Sequence, residues 1–163
     1  MLRRTWLGLA LTPLLLAACA TPARSPHGGA NSESWSGRMA LTVQSDPPQS
    51  LSAGFELQGG ADAGELRLFT PLGSTVAVLA WAPDGAQLEH NGQTQRADSV
   101  DALIFQLLGT AFPLAALFDW LHQRPTTVAG WQLDNTAQDQ GRLVVRRTEP
   151  APAAELRIKL QTP

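Results

Sequence analysis

The chain has 163 residues, 44% hydrophobic and 16% charged, with twelve Lys and Arg against fourteen Asp and Glu and a single cysteine. A net charge of −2 argues against a nucleic-acid binder, which needs a basic face, and against adhesion to anionic lipid by charge alone. One cysteine leaves no partner for a disulfide within the chain, and the length fits one domain.

At the amino end, Arg3 and Arg4 precede an apolar run from Trp6 to Ala18 broken only by Thr12. The run is shorter than the ~20 residues that cross a bilayer and suits the apolar region of a signal peptide over residues 1–18. It ends in Leu16-Ala17-Ala18-Cys19, which looks like the lipobox of bacterial lipoproteins. Cys19 is therefore the expected lipid anchor: the likeness to bacterial lipoproteins implies an S-diacylglyceryl group on its thiol and an N-acyl chain on the new amino terminus, more than the single chain that binds membranes only marginally. The alternative is an ordinary signal peptide that leaves a free exported thiol, a liability in an oxidising compartment. Removal of Arg3 and Arg4 leaves ten bases against fourteen acids, a mature charge of −4. Residues 19–34 are rich in Ala, Pro, Ser, Gly and Asn without apolar period and read as a flexible tether, ahead of a domain over 35–163.

From Trp35 the period is two. Trp35, Gly37, Met39, Leu41 and Val43 share one face; after Pro47-Pro48, Leu51, Ala53, Phe55 and Leu57 resume the alternation. Leu66 and Leu68 alternate with Glu65 and Arg67 as far as Pro71-Leu72-Gly73. Thr75 to Ala82 is apolar on both faces, as expected of a strand covered on two sides. Pro83-Asp84-Gly85 signals a turn, and Asn91-Gly92 joins Gln87–His90 to Gln93–Arg96 as a hairpin.

The period then becomes helical. Asp98-Ser99-Val100-Asp101 supplies a cap and an acidic first turn, Val100, Leu103, Ile104, Leu107 and Leu108 form the stripe, and Gly109 suits the end. Pro113 opens a second helix, with Leu114, Leu117, Phe118 and Leu121 on one face, and Pro125 stops it. Trp131–Leu133, Arg142–Arg147 and Glu155–Leu160 are three closing strands. Nearly every strand neighbour is a hairpin. The fold expected is mostly β with α: a half-open antiparallel β-barrel of about nine to eleven strands, its open side closed by a helical lid, since sheets of this size curl to protect their edges.

No catalytic constellation is present. His27, His90 and His122 have no ligand spacing, phosphate-loop and nucleophile-elbow patterns are absent, and capping accounts for Asp98 and Asp101. Neither an enzyme, a metal nor a cofactor is expected. Phe105 and Trp120 lie off their helix stripes, and apolar residues exceed what the faces need. The barrel interior is either a filled core or an incompletely filled site for acyl chains; periodicity does not separate the two.

Trp35-Ser36-Gly37-Arg38, Leu66-Arg67-Leu68 leading into Pro71-Leu72-Gly73-Ser74-Thr75-Val76, Ala97-Asp98, Leu108-Gly109, Phe112-Pro113-Leu114 and Asp119-Trp120-Leu121 together resemble the LolB family of outer-membrane lipoprotein receptors, from Cys19 to about Pro125. Leu57 stands where many members have Trp, and Gln123 where many have Gly. A hairpin looks shortened or lost around Glu149 to Ala154, which would leave one barrel wall narrower or more open. The resemblance implies a LolA/LolB-like fold on the periplasmic face of the outer membrane of a Gram-negative bacterium. It implies a receptor that takes lipoproteins from the periplasmic carrier LolA, holds their acyl chains in a hydrophobic cavity and inserts them into the inner leaflet. Partners would be LolA, client lipoproteins and outer-membrane phospholipid, with the receptor monomeric. Pro71, Leu72 and Gly73 match the family's membrane-insertion loop. The expected cavity lining is Met39, Leu41, Phe55, Leu66, Leu68, Val76, Val78, Leu103, Leu107, Leu117 and Trp120. The alternative is a LolB-like structural or lipid-binding lipoprotein without transfer activity.

Overall fold

The computed structural model describes residues 33–108 and 110–161. The expected signal peptide, Cys19, the expected tether up to residue 32 and Gly109, the expected end of the first helix, lie outside them. Six strands come first: β1 (Ser34–Val43), β2 (Gln49–Gly59), β3 (Gly64–Phe69), β4 (Thr75–Ala82), β5 (Gly85–His90) and β6 (Gln93–Ala97). Two helices follow, α1 (Val100–Leu108) and α2 (Leu114–Leu121), and then β7 (Trp131–Asp134), β8 (Arg142–Arg147) and β9 (Ala154–Leu160).

All nine strands join one antiparallel sheet in the order β6-β5-β4-β3-β2-β1-β9-β8-β7. The first and last strands meet at its centre, where Gly37 to Val43 pair with Leu160 to Ala154. The two edges are β6 and β7, and the polypeptide between them is the α1–α2 segment, so the helices bridge the gap where the barrel stays open. This is the half-open, lidded barrel that the resemblance implies. Strands β8 and β9 pair as a direct hairpin.

Alternation sets the buried face. On β2, Ala53, Phe55 and Leu57 are buried; on β9, Ala154, Leu156 and Ile158. Burying each large apolar side chain contributes roughly 1.5–3 kcal/mol relative to exposure. Curvature needs glycine at two places. A Cβ on Gly37 would stand 2.1 Å from the Lys159 carbonyl oxygen, and one on Gly64 would stand 2.6 Å from the Trp81 ring. Trp81 instead lies over Gly64, its register partner, and its indole N–H donates to the Gly60 carbonyl at 3.0 Å.

Helix α1 starts as its sequence suggests: the Ser99 hydroxyl accepts from the Ala102 N–H at 3.1 Å. Pro113 is the N-cap of α2 rather than its first residue, a shift of one position. Past α2, Gln123 takes a left-handed φ of 62°, and its N–H donates to the Trp120 carbonyl at 3.0 Å.

Registers also assign the ends of the barrel. Ser34 pairs with Gln58 and Gln58 with Glu65, so the chain enters where β3 begins. The β3–β4 turn, the Asn91-Gly92 turn and the β1–β2 and β8–β9 connections gather at the opposite end.

Candidate functional site

Between sheet and helices lies a cavity of about 150 Å³ whose nineteen lining residues are all apolar. Twelve are leucines. Only Ile104 and Ile158 are β-branched, so most of the wall can change rotamer without the χ1 stiffness of branched side chains. An apolar void of this size stays dry and takes a benzene-sized guest, below the ~300 Å³ where small-molecule pockets begin.

Of the residues expected around it, Met39, Leu41, Phe55, Leu66, Leu68, Leu107 and Leu117 stand on its wall. Four do not. On β4 the wall is Ala77, Leu79 and Trp81. Val76 and Val78 point the other way, Val78 lining an outer groove with Glu65 and Arg67. Leu103 and Trp120 pack in the solid core, 0% and 1% exposed. The Trp120 indole is held by the Thr126 carbonyl at 2.8 Å, a structural role that its position off the helix stripe did not reveal. Phe105 faces outward, 56% exposed.

The sequence reading missed Ile104, Leu114 and Leu121 as cavity residues, although the stripes of both helices contain them. Leu51 is 36% exposed and also lines the cavity. It pairs with Leu41 beyond the point where β3 ends against Gly54, so the cavity reaches the surface at the end of the barrel that carries the β3–β4 turn.

That turn is built for display. The Gly73 N–H donates to the Thr70 carbonyl at 2.9 Å, with Pro71 and Leu72 at the central positions and Gly73 at φ 85°, where glycine carries no Cβ penalty. The Ser74 N–H donates to the Thr70 hydroxyl at 3.2 Å, and a register shift between Leu68 and Phe69 re-aims the strand as bulges do. Leu72 at the tip is 95% exposed.

Another residue, on β8, also escaped the sequence reading. Arg147 is only 5% exposed, packs over Trp131 at 5.4 Å, and donates to the Ala111 and Pro152 carbonyls at 3.3 and 2.6 Å. Burial holds its guanidinium below the ordinary arginine value. Among the described residues no group of three or more His, Cys, Asp or Glu is placed to share a metal ion.

A family profile described as Outer membrane lipoprotein LolB matches residues 33–151. The chain belongs to the LolB family of outer-membrane lipoproteins. It is 38% identical to the outer-membrane lipoprotein LolB of Cupriavidus necator over 80% of this chain and 68% of that protein. The LolB of Cupriavidus pinatubonensis is 36% identical over 80% of this chain and 65% of its own length. That of Bordetella petrii is 32% identical over 98% and 93%. The resemblance read from the Trp-Ser-Gly-Arg and Pro-Leu-Gly segments thus agrees with the LolB match along the barrel.

Proposed function

We propose that the protein is a lipoprotein receptor. In this reading it takes acyl-modified proteins from the carrier LolA, shelters their acyl chains in the apolar cavity, and releases them into the inner leaflet of the outer membrane through the turn at Leu72. The observation that carries it is the wholly apolar cavity opening beside Leu51 at the same end as Leu72. Each methylene buried there contributes ~0.8 kcal/mol, so transfer needs no nucleotide if this cavity binds the chains better than the carrier does. The cavity is too small for a whole acyl chain, so loading requires the helices to part from the sheet and the leucine wall to repack. Cys19 is the proposed anchor, with residues 19–34 as its tether.

The test is transfer of a lipoprotein from LolA to this protein and on to vesicles, for the parent and for Leu72→Glu. The parent should accept and deliver. Leu72→Glu should accept equally well but deliver at least tenfold more slowly, since a carboxylate resists entry into hydrocarbon. Delivery by Leu72→Glu at the parent rate removes the role of the turn, and failure of the folded parent to accept removes the receptor reading. The small cavity volume favours the second reading, a LolB-like structural or lipid-binding lipoprotein without transfer activity, which that last outcome would support.

A further inference from the structure

On the outer face of the sheet, three cations stand in one row. Arg38 on β1 is the direct register partner of Lys159 on β9, and Lys159 is the partner of Arg142 on β8. All three are exposed. Like charges directly opposite one another destabilise a sheet, and the ion pairs of this face lie elsewhere. Glu155 pairs with Arg146 and Arg157, Asp134 with Arg146, and Glu65 with Arg67. Glu56 stands opposite Arg67. None of the ion pairs among the described residues involves Arg38, Arg142 or Lys159, and the Lys159 ammonium donates to the Gln140 carbonyl. A chain with a net negative charge thus keeps an uncompensated positive row.

The row adjoins the display turn. Arg38 and Lys159 share a groove of about 600 Å³ with Thr70, Pro71 and Gly73. An apolar tip at Leu72 and a cationic flank therefore face the same side of the barrel.

We propose that Arg38, Lys159 and Arg142 form a contact surface for the phosphates of anionic phospholipid headgroups, engaged when Leu72 dips into the bilayer. The inference uses the reading of Leu72 as the inserting residue for its orientation. The row supplies attraction local to one flank, where the charge of the whole chain supplies none. It also holds that flank against the membrane while the cavity mouth stays beside the bilayer.

The experiment measures binding of the full exported chain carrying Cys19→Ala to phosphatidylcholine vesicles with and without phosphatidylglycerol. The parent should bind the phosphatidylglycerol vesicles more tightly, and raised salt should erase the difference. Arg38→Gln with Lys159→Gln should lose roughly 25-fold on those vesicles, about fivefold per cation, and bind neutral vesicles as the parent does. Its thermal midpoint should hold or rise, since a like-charge pair is removed, which separates the loss from unfolding. Arg67→Gln, a cation paired with Glu65, should leave binding unchanged. Leu72→Gln should weaken binding to both vesicle types by the same factor; if it has no effect while the double variant does, the turn reading fails and the row stands. Equal binding of both vesicle types by the parent, or parent-like binding by the double variant, overturns the proposal. So does a double variant that binds vesicles normally but no longer accepts cargo from LolA, which would make the row a protein contact.

Discussion

The guanidinium of Arg147 on β8 donates to the carbonyl of Ala111 at 3.3 Å, joining the sheet to the connection between the two lid helices. A second bond to the Pro152 carbonyl at 2.6 Å fixes the same group to the β8–β9 connection. The tie is made by a side chain whose burial already disfavours its charge, so its hydrogen bonds matter more than they would in water.

Arg147→Ala should lower unfolding stability by about 2–3 kcal/mol, since it removes two charge-assisted hydrogen bonds and the packing over Trp131. Hydrogen exchange at residues 110–112 should accelerate more than exchange in β2 and β3. Uniform acceleration would make Arg147 a core residue with no particular hold on the lid.

Gln123 occupies a left-handed conformation at φ 62°, where a side chain costs about 1–2 kcal/mol that glycine avoids. Gln123→Gly should therefore stabilise the protein by about 1 kcal/mol, raising the thermal midpoint by roughly 4 °C. A lower midpoint would mean that the Gln123 side chain contributes more than its backbone strain takes away.

Asp119 accepts from the Thr126 hydroxyl at 2.6 Å and from Arg124 at 2.7 and 2.9 Å. These bonds, the one from Thr126 foremost, hold its carboxyl below the ordinary aspartate value. A depressed folded pKa means the contribution is complete above the unfolded value of about 3.9 and is lost as pH falls through the lower folded one. Asp119→Asn should lower the thermal midpoint at neutral pH, with the gap to the parent closing below about pH 4. A gap independent of pH would assign the effect to packing around α2.

Element positions were legible because each period had a clear phase. Leu156, Ile158 and Leu160 against Arg157 and Lys159 define β9 without help, and Ser99 announces α1 by its hydroxyl. Strand β4 has apolar residues on both faces, so its own pattern carries no phase. Its inward set comes from its partner: Ala77 and Leu79 face Leu68 and Leu66 across the ladder, a contact that no local pattern encodes. Arg147 was read only as the end of a strand, yet Leu143, Val145 and Arg147 follow one alternation, and that phase already pointed it inward. The pairing of β1 with β9, and therefore the Arg38–Lys159–Arg142 row, joins segments more than a hundred residues apart and leaves no trace in local sequence. Cavity size depends on how leucine side chains from sheet and lid interlock, which composition leaves open.

The chain enters the barrel at the end opposite the Leu72 turn. β3 separates those ends by about 20 Å, while Cys19 precedes Glu33 by fourteen residues, a reach of at most about 48 Å. With Cys19 lipidated as proposed, a barrel standing upright on its anchored end would hold Leu72 clear of the bilayer. Tipping it onto the Arg38–Lys159 flank brings the tip down, and the tether is long enough to permit both postures. Under the proposed function, the opposed ends make delivery a matter of tilt, with the carrier met upright and the membrane met reclining.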